Sequence, residues 1–372
     1  MDNKMANVGY SGRADVLVNR TADGVDLNAI FAEIQDANAV YNEHVNGLAA
    51  LLSFRTTDTG AAVPQSGWAV EEFEESTSYG IPQKVGVDTA LKLGYTFKDW
   101  DLALGATWKW VRDASAAEVT AKVQRVYEAD TKLVVTSVFN RVLDPRTFTN
   151  DWGLPCYGLL NNDGMKMPDY MGQKFNGTED HYLTTGSATL DAADVEQAAR
   201  LIKRFGYGVE DSSKIILLAS PNTIEASGLA GWRAGQEYTT GKKAKYDFVP
   251  SSNAPAYLTN LEIRGAVPPA EYAGLNVTGS YGGVLVIESH FMYSDRAIVF
   301  ATGGPGSEKN VVGMREHQQS QYAGLRQIPG NQTGYPLLDS YFQRSFGVGV
   351  RHRGAAVALE ITEGADYIWS LD

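Results

Sequence analysis

The sequence predicts an α+β protein with more than one compact unit. One observation is a very long helical pattern that starts at a capping box, Ser115 to Glu118, and stops before Pro145. The others are a helix–strand–helix pattern over residues 191–228 and two β-rich runs near residue 350. Because 44% of the 372 residues are hydrophobic, the chain can bury a core larger than that of one ordinary lobe.

The first segment, residues 1–25, is polar and aperiodic, which predicts an extended arm. Asp26 is a good N-cap for a helix that follows it. Apolar residues then recur with helical spacing as one stripe: Ile30, Phe31, Ile34, Tyr41, Val45, Leu48 and Leu52. No local segment offers a matching apolar surface, so we expect this helix to need a partner.

Residues 54–80 are rich in Gly, Thr and Glu, which indicates a long loop. Apolar residues alternate with small or polar ones on both sides of the turn at residues 98–101, which predicts a β-hairpin with one apolar face. The alternating residues are Leu91, Leu93, Tyr95 and Phe97 before the turn and Leu102, Leu104, Ala106, Trp108 and Trp110 after it. An isolated hairpin is marginal in water, so its apolar face also needs a partner.

The long helical pattern after the capping box continues to Leu143. Its length of about 28 residues corresponds to roughly 40 Å of helix. Polar residues of both charges occur along it, as on a helix with an exposed or interfacial face. Residues 146–188 lack a period and are expected to form irregular loops.

A second compact unit is predicted to begin near Thr189. Asp191 caps a helix that Gly206 closes, residues 214–220 form a buried strand, and Ser220-Pro221 starts a short helix. Further strands are expected at residues 283–287 and 297–300, with loops at 228–260 and 302–335. The closing β-rich runs are residues 341–350 and 355–361.

Charge and composition narrow the function classes. The chain has 32 Lys and Arg against 44 Asp and Glu, a net charge of −12, which disfavours a dedicated phosphate-binding protein. A single cysteine, Cys156, rules out an internal disulfide framework. Neither a secretory signal nor an apolar run long enough for a membrane span is visible, so we expect a cytosolic product without a membrane partner.

We find no catalytic constellation in the sequence. The five histidines lack metal-ligand spacing, and the glycines at 303–306 lack the GK[ST] ending of a phosphate loop. The carboxylates at 71–72 and 74–75 lie in a polar loop, where a solvated surface is the simpler interpretation than a glycosidase pair. We therefore predict no catalytic residues, no metal and no cofactor.

The order of these elements resembles the Hong-Kong-97-type fold of tailed-phage major capsid proteins. That fold has an N-terminal arm, a long extended loop, a spine helix in a peripheral domain, and an axial domain of sheet and helices. The resemblance implies an arm at 1–53, an extended loop hairpin at 54–112 and a peripheral domain with the spine helix at 113–188. The axial domain would then span 189–325, with the closing strands of both domains at 326–372.

The resemblance also implies the function and partners. The expected function is structural: the subunits self-assemble as pentamers and hexamers into an icosahedral shell that encloses double-stranded phage DNA, contacted non-specifically. Scaffold, portal and decoration proteins are possible partners, the virion is the location, and the host bacterial cytoplasm is the place of assembly. Inter-subunit contacts are expected from the hairpin (Leu91, Leu93, Tyr95, Phe97, Leu102, Leu104, Trp108, Trp110) and the arm (Ile30, Phe31, Ile34, Tyr41).

Two other function classes remain open at this point. An encapsulin-type shell, which encloses protein cargo, uses the same fold, and the content of the particle would separate the two. A carbohydrate-acting enzyme that uses the acidic loop is a different class, and an activity screen on the purified monomer would detect it.

Overall fold

The computed structural model describes residues 20–43, 47–64, 90–167, 169–239, 242–252, 267–329 and 337–370. Two compact units emerge. The smaller unit combines Met1–His44, Lys98–Leu133 and His317–Ser345, and the larger combines Val45–Phe97, Val134–Glu316 and Phe346–Asp372.

Groups of helices and groups of strands follow one another along the chain. The helices are α1 (Leu27–Glu43), α2 (Gly47–Leu52), α3 (Trp108–Asp113), α4 (Ala116–Leu143), α5 (Ala192–Arg204) and α6 (Pro221–Ser227). The first strands are β1 (Ser53–Thr56), β2 (Gly60–Pro64), β3 (Ala90–Gly94), β4 (Lys98–Thr107), β5 (Phe148–Thr149), β6 (Pro155–Cys156), β7 (Tyr182–Thr184), β8 (Lys214–Ala219), β9 (Glu237–Thr239) and β10 (Lys242–Lys243). The remaining strands are β11 (Phe248–Pro250), β12 (Glu271–Tyr272), β13 (Leu275–Tyr281), β14 (Val284–Glu288), β15 (Arg296–Thr302), β16 (Val312–Glu316), β17 (Leu325–Pro329), β18 (Leu337–Val350) and β19 (Ala356–Glu360).

In the larger unit, an eight-stranded sheet forms the main core. Its order is β11-β13-β14-β8-β15-β19-β7, and β12 pairs with β13. β8 lies parallel to β14 and antiparallel to β15, and its residues from Ile215 to Ala219 are buried. One face is covered by the apolar side of α5, formed by Val195, Ala198 and Ile202.

In the smaller unit, α1 packs beside the first part of α4 and against β17. Val123 and Val126 of α4 form a buried cluster with Leu325 and Phe342, and Ile34 of α1 packs against it. β17 pairs antiparallel with residues 340–344 of β18, and β4 pairs with β18 as well. The sequence analysis found no local partner for this helix, and the structure supplies one from distant segments of the same chain, α4 and β17.

The capping signals predicted from the sequence are confirmed. The backbone N–H of Ser115 donates to the Glu118 carboxylate (2.7 Å), and α4 covers 28 residues before it ends ahead of Asp144-Pro145. Asp191 accepts from two N–H groups at the start of α5. Ser220 accepts from the Thr223 N–H at the start of α6, with Pro221 at its first position.

The predicted pairing of the hairpin is wrong. β3 pairs antiparallel with β2, with Gly60 opposite Gly94, whereas β4 pairs with β18. The apparent alternation also ends early, because the Thr107 hydroxyl accepts from the Trp110 N–H and starts α3 at Trp108. Alternation marks a strand with two different faces, but it does not identify the strand beside it.

Three other expectations need correction. The stripe from Ile30 to Leu52 is divided between α1 and α2, and residues 44–46 lie outside the described part. The region 302–335, expected as loop, contains β16 and β17, and the loop expected at 54–80 contains β2. These strands are only five residues long, so they lack the sustained period that sequence analysis detects.

In the larger unit, residues 94–97 cross the sheet formed by β1, β16 and the second half of β18 over a row of glycines. Gly313 lies opposite Gly349, and Gly347 follows on the same face. The Tyr95 ring lies against Gly313 and Gly349, and the Thr96 hydroxyl donates to the Val348 carbonyl (2.9 Å). Because these positions have no Cβ, the crossing backbone can approach the sheet closely.

A buried arginine joins the closing strands to the loop before β7. Arg353 is 1% exposed, and its Nε donates to the Gly158 carbonyl (2.9 Å) and its Nη2 to the Leu159 carbonyl (2.7 Å). The same guanidinium pairs with the Asp163 carboxylate and lies 4.8 Å from the centroid of the Tyr157 ring. A planar guanidinium can satisfy several acceptors at once, so Arg353 holds this loop in place.

Stability should depend on pH through His181, which is fully buried and contacts the Ala356 carbonyl through Nδ1 (2.7 Å). Burial lowers its pKa from 6.5 to about 4. Between these values the unfolded chain binds a proton that the folded chain does not. The contribution of neutral His181 to the free energy of unfolding is therefore fully present above pH 6.5. As the pH drops toward 4, the free energy of unfolding should fall by up to about 3 kcal/mol.

Urea unfolding of the unassembled subunit at several pH values would measure this dependence. His181→Gln should reduce the slope of the profile between pH 4 and 6.5. Part of the slope should remain, because burial also lowers the pKa of His352 to about 4, whereas replacing the exposed His290 with glutamine should leave the profile unchanged. An unaltered slope in the His181 variant would contradict the assignment.

Candidate assembly interface

The hairpin residues chosen from the sequence have different environments. Leu93 and Tyr95 are each 1% exposed, and both belong to the larger unit. Phe97 is half-buried beside Arg315, whose guanidinium lies 4.9 Å from the ring centroid. The side chain of Leu91 lies outside the described part. Burial of Leu93 and Tyr95 by their own chain is at odds with the contact role expected of them.

The residues after the turn belong to the smaller unit. Trp108 is buried at the start of α3, and Trp110 is half-buried with the Lys122 ammonium 3.7 Å from its ring centroid. Leu104 packs against the cluster around Val126. Leu102 is 43% exposed, so it alone of these four keeps a large apolar area for a partner.

The arm residues are also largely covered by their own chain. Ile30 is buried, and Ile34 and Tyr41 pack against the cluster of α4, β17 and β18. Phe31 is half-buried. Asn42, which sequence analysis did not select, attaches α1 to β17: its amide donates to the Leu325 carbonyl (2.7 Å) and its oxygen accepts from the Leu325 N–H (2.8 Å).

An apolar groove of about 170 Å³ opens on the smaller unit, and we call it the β4 groove. Trp100 and Leu102 of β4 form one wall and are 41% and 43% exposed. The remaining lining includes Val126 and Leu133 of α4, with Leu325 and Phe342 from the strands. Large exposed apolar side chains around a concave surface are typical of a protein–protein contact.

A charged network supports the base of the β4 groove. Asp130 of α4 accepts from Arg344 Nη1 (2.6 Å) and from the Tyr41 hydroxyl (2.9 Å). Burial raises the pKa of Asp130, while Arg344 and Tyr41 act in the opposite direction. Burial also raises the pKa of Tyr41 to about 12, so its hydroxyl stays protonated and keeps donating. The network therefore connects α1, α4 and β18 beneath an apolar opening.

Sequence analysis missed Trp100 because it lies in a charged stretch, Lys98 to Asp101, that was interpreted as a turn. The structure continues β4 through this stretch, and every residue from Lys98 to Ala103 is exposed. A tryptophan between two aspartates is itself unusual for a solvent-facing turn. The position of Trp100 between Asp99 and Asp101 was therefore the sequence signal that could have identified it.

Within the described ranges, no group of three or more His, Cys, Asp or Glu side chains could hold a metal ion. Across the same residues, none of the helices combines the length and apolar character that a membrane crossing requires.

Comparisons with known proteins place the chain in a family. No protein-family model and no curated protein sequence matches it. A solved structure from Mycobacterium phage Patience contains a chain with 32% identity and a TM-score of 0.71, and the alignment covers 98% of this chain and 96% of that one. The capsid of Ralstonia phage GP4 aligns with a TM-score of 0.47 and 12% identity over 86% of this chain and 92% of that one. The SrpI encapsulin complex from Synechococcus elongatus PCC 7942 aligns with a TM-score of 0.46 and 12% identity over 86% and 89%.

The chain belongs to the Hong-Kong-97-type major capsid proteins of tailed bacteriophages. It is a structural subunit of a phage capsid shell that associates with copies of itself, and it is a virion protein. The relative that is 32% identical is a phage protein, which favours the phage capsid over the encapsulin alternative.

Proposed function

We propose that this subunit assembles as pentamers and hexamers into an icosahedral shell that encloses double-stranded DNA. Assembly takes place in the host bacterial cytoplasm, with scaffold, portal and decoration proteins as further partners. The five segment boundaries expected from the sequence, 1–53, 54–112, 113–188, 189–325 and 326–372, are part of this proposal. The subunit performs no catalysis.

The observation that carries this proposal is the β4 groove together with the family membership of the chain. A shell protein must leave apolar area uncovered on the subunit, because its neighbours cover that area only after assembly. Trp100 and Leu102 provide such area, and each is more than 40% exposed. We therefore assign the groove, rather than the whole predicted hairpin, to contact with a neighbouring copy.

Replacing both Trp100 and Leu102 with serine should leave a folded subunit that assembles poorly. Losing this apolar contact removes about 2 kcal/mol per subunit, which corresponds to a roughly 30-fold higher concentration for assembly. Light scattering against subunit concentration, followed by electron microscopy, measures the effect. Circular dichroism checks that the variant is folded.

A matched control is the pair Val209→Ser and Val267→Ser, because both side chains are exposed and neither lines the groove. This control should assemble like the unaltered protein. Normal shells from the Trp100 and Leu102 variant at unchanged concentration would refute the role of the groove.

The content of the shell is a separate measurement. Nuclease-treated particles from infected cells should contain protected DNA, detected by absorbance and gel electrophoresis after opening the particles. Particles filled with a cargo protein and free of DNA would overturn the proposal in favour of an encapsulin-type container.

A further inference from the structure

The larger unit contains a positively charged pocket of about 260 Å³ beside α5. Arg200 and Lys203 come from α5, and Lys245 faces them from the loop before β11. Glu196 is the one carboxylate in the lining, so three cations surround the opening. This local charge contrasts with the net charge of −12 for the whole chain.

The carboxylate of Glu196 already has hydrogen-bond and ion-pair partners within the chain. One oxygen accepts from the Tyr281 hydroxyl (2.6 Å) and from the Lys245 N–H (2.9 Å), and the other lies 3.4 Å from Lys245 Nζ. Burial raises the pKa of Tyr281, and the bond to Glu196 adds to this, so the phenol remains the donor. Glu196 therefore holds Lys245 in position rather than neutralising the two cations of α5.

The side chains of Arg200 and Lys203 make no hydrogen bond or ion pair within the described part of the chain. Both are exposed and lie three residues apart, so they emerge from the same side of the helix. Two uncompensated cations on one wall with a third opposite them form a site for an oxyanion.

An exposed aromatic ring completes the pocket. Tyr246 is 49% exposed, and its ring meets the Tyr281 ring edge to face, with centroids 5.8 Å apart. Gly282 has a φ of +57°, and a Cβ at this position would come within 2.6 Å of Tyr246 Cδ2. The absence of a side chain there leaves room for the ring beside the cations.

The geometry points to a binding site for the phosphate backbone of nucleic acid at Arg200, Lys203 and Lys245, with Tyr246 as an apolar surface for the adjoining sugar or base. Cations that contact phosphates beside an exposed ring are typical of nucleic-acid binding surfaces. A carboxylate from a second copy would use the cations but not the ring. This inference rests on the proposed enclosure of DNA.

One weak contact with DNA in each subunit is compatible with a shell that must later release its genome. The acidic wall as a whole repels DNA, so the genome is not held tightly at any point. Many copies of the pocket would nevertheless act together on one long molecule, because contacts on the same polymer reinforce each other.

The test uses the full-length subunit before assembly and a short fluorescent DNA duplex at several salt concentrations. Arg200→Gln with Lys203→Gln should weaken binding and reduce the slope of log affinity against log salt by about 1.8, since each lost phosphate contact accounts for about 0.9. Lys166→Gln with Lys174→Gln removes the same charge from exposed positions outside the pocket and should change neither quantity.

Three results would overturn the inference. The unaltered subunit fails to bind the duplex at low salt, or the pocket variant binds it with an unchanged salt slope. In the third, the variant binds DNA normally but no longer assembles, which would assign the pocket to a carboxylate of a second copy. None of these affects the proposed function, which is judged separately by whether shells of the unaltered protein protect DNA.

Discussion

Valine in place of Gly347 is expected to prevent the chain from folding. A Cβ at this position would overlap the Thr96 carbonyl and lie 2.8 Å from the Cα of Phe97. Both neighbours are backbone atoms of the crossing segment, so they cannot rotate away as a side chain would. The segment must leave the sheet, and with it the hydrogen bonds between Thr96 and Val348 are lost. We expect a cost of about 4 kcal/mol or more.

Expression with measurement of the soluble fraction, followed by circular dichroism of any soluble product, would show the effect of Gly347→Val. The control is Gly231→Ala, because a Cβ on Gly231 meets no atom within 4 Å. That variant should behave like the unaltered protein. A soluble Gly347 variant with native stability would show that residues 94–97 do not cross the sheet at this glycine.

Replacing Arg353 with methionine is expected to destabilise the larger unit by about 3–5 kcal/mol. The substitution keeps most of the apolar stem but leaves the buried carbonyls of Gly158 and Leu159 without the donor they share. It also leaves the Asp163 carboxylate without its ion-pair partner. Urea unfolding of the unassembled subunit, followed by tryptophan fluorescence, gives the free energy of unfolding.

Arg351→Met is the matched control for this experiment. Arg351 lies two residues away and is half-buried, and its guanidinium donates to one carbonyl, that of Ala62, at 3.2 Å. Its loss should change the free energy of unfolding by about 1 kcal/mol or less. Equal effects of the two substitutions would contradict the role assigned to Arg353.

Local signals in the sequence predicted the helices well. The Ser115 and Glu118 capping box and the proline after Asp144 define both ends of α4, because caps and prolines act within a few residues. Asp191 and Ser220 act in the same way at α5 and α6. The buried strand β8 was predicted because five consecutive apolar residues are uncommon in a solvated segment.

Strand partners could not be predicted, because they depend on residues far apart in the chain. Gly60 pairs with Gly94 and Ser53 pairs with Val312, and no pattern in the sequence around these residues indicates either pairing. Nine residues, from Leu91 to Trp110, were assigned to one apolar face on the basis of their period alone. The structure divides them between β3, the crossing segment, β4 and α3, each with its own environment.

The candidate interface was predicted only in part. Leu102 was identified, but Trp100 was not, since burial depends on which elements surround a side chain rather than on its type. The positively charged pocket could not be predicted from the sequence for a related reason. A net charge of −12 describes the whole chain, whereas Arg200, Lys203 and Lys245 meet only after α5 packs beside residues 245–246.

The order of strands has a consequence for protein synthesis. β19 lies between β15 and β7, and β18 lies between β16 and β17, yet the ribosome makes β18 and β19 after all of these partners. A nascent chain that stops before residue 337 exposes the unpaired edges of β15 and β16 and cannot close either sheet. We therefore expect truncated translation products to stay incompletely folded and to be excluded from the particle without a separate quality-control step.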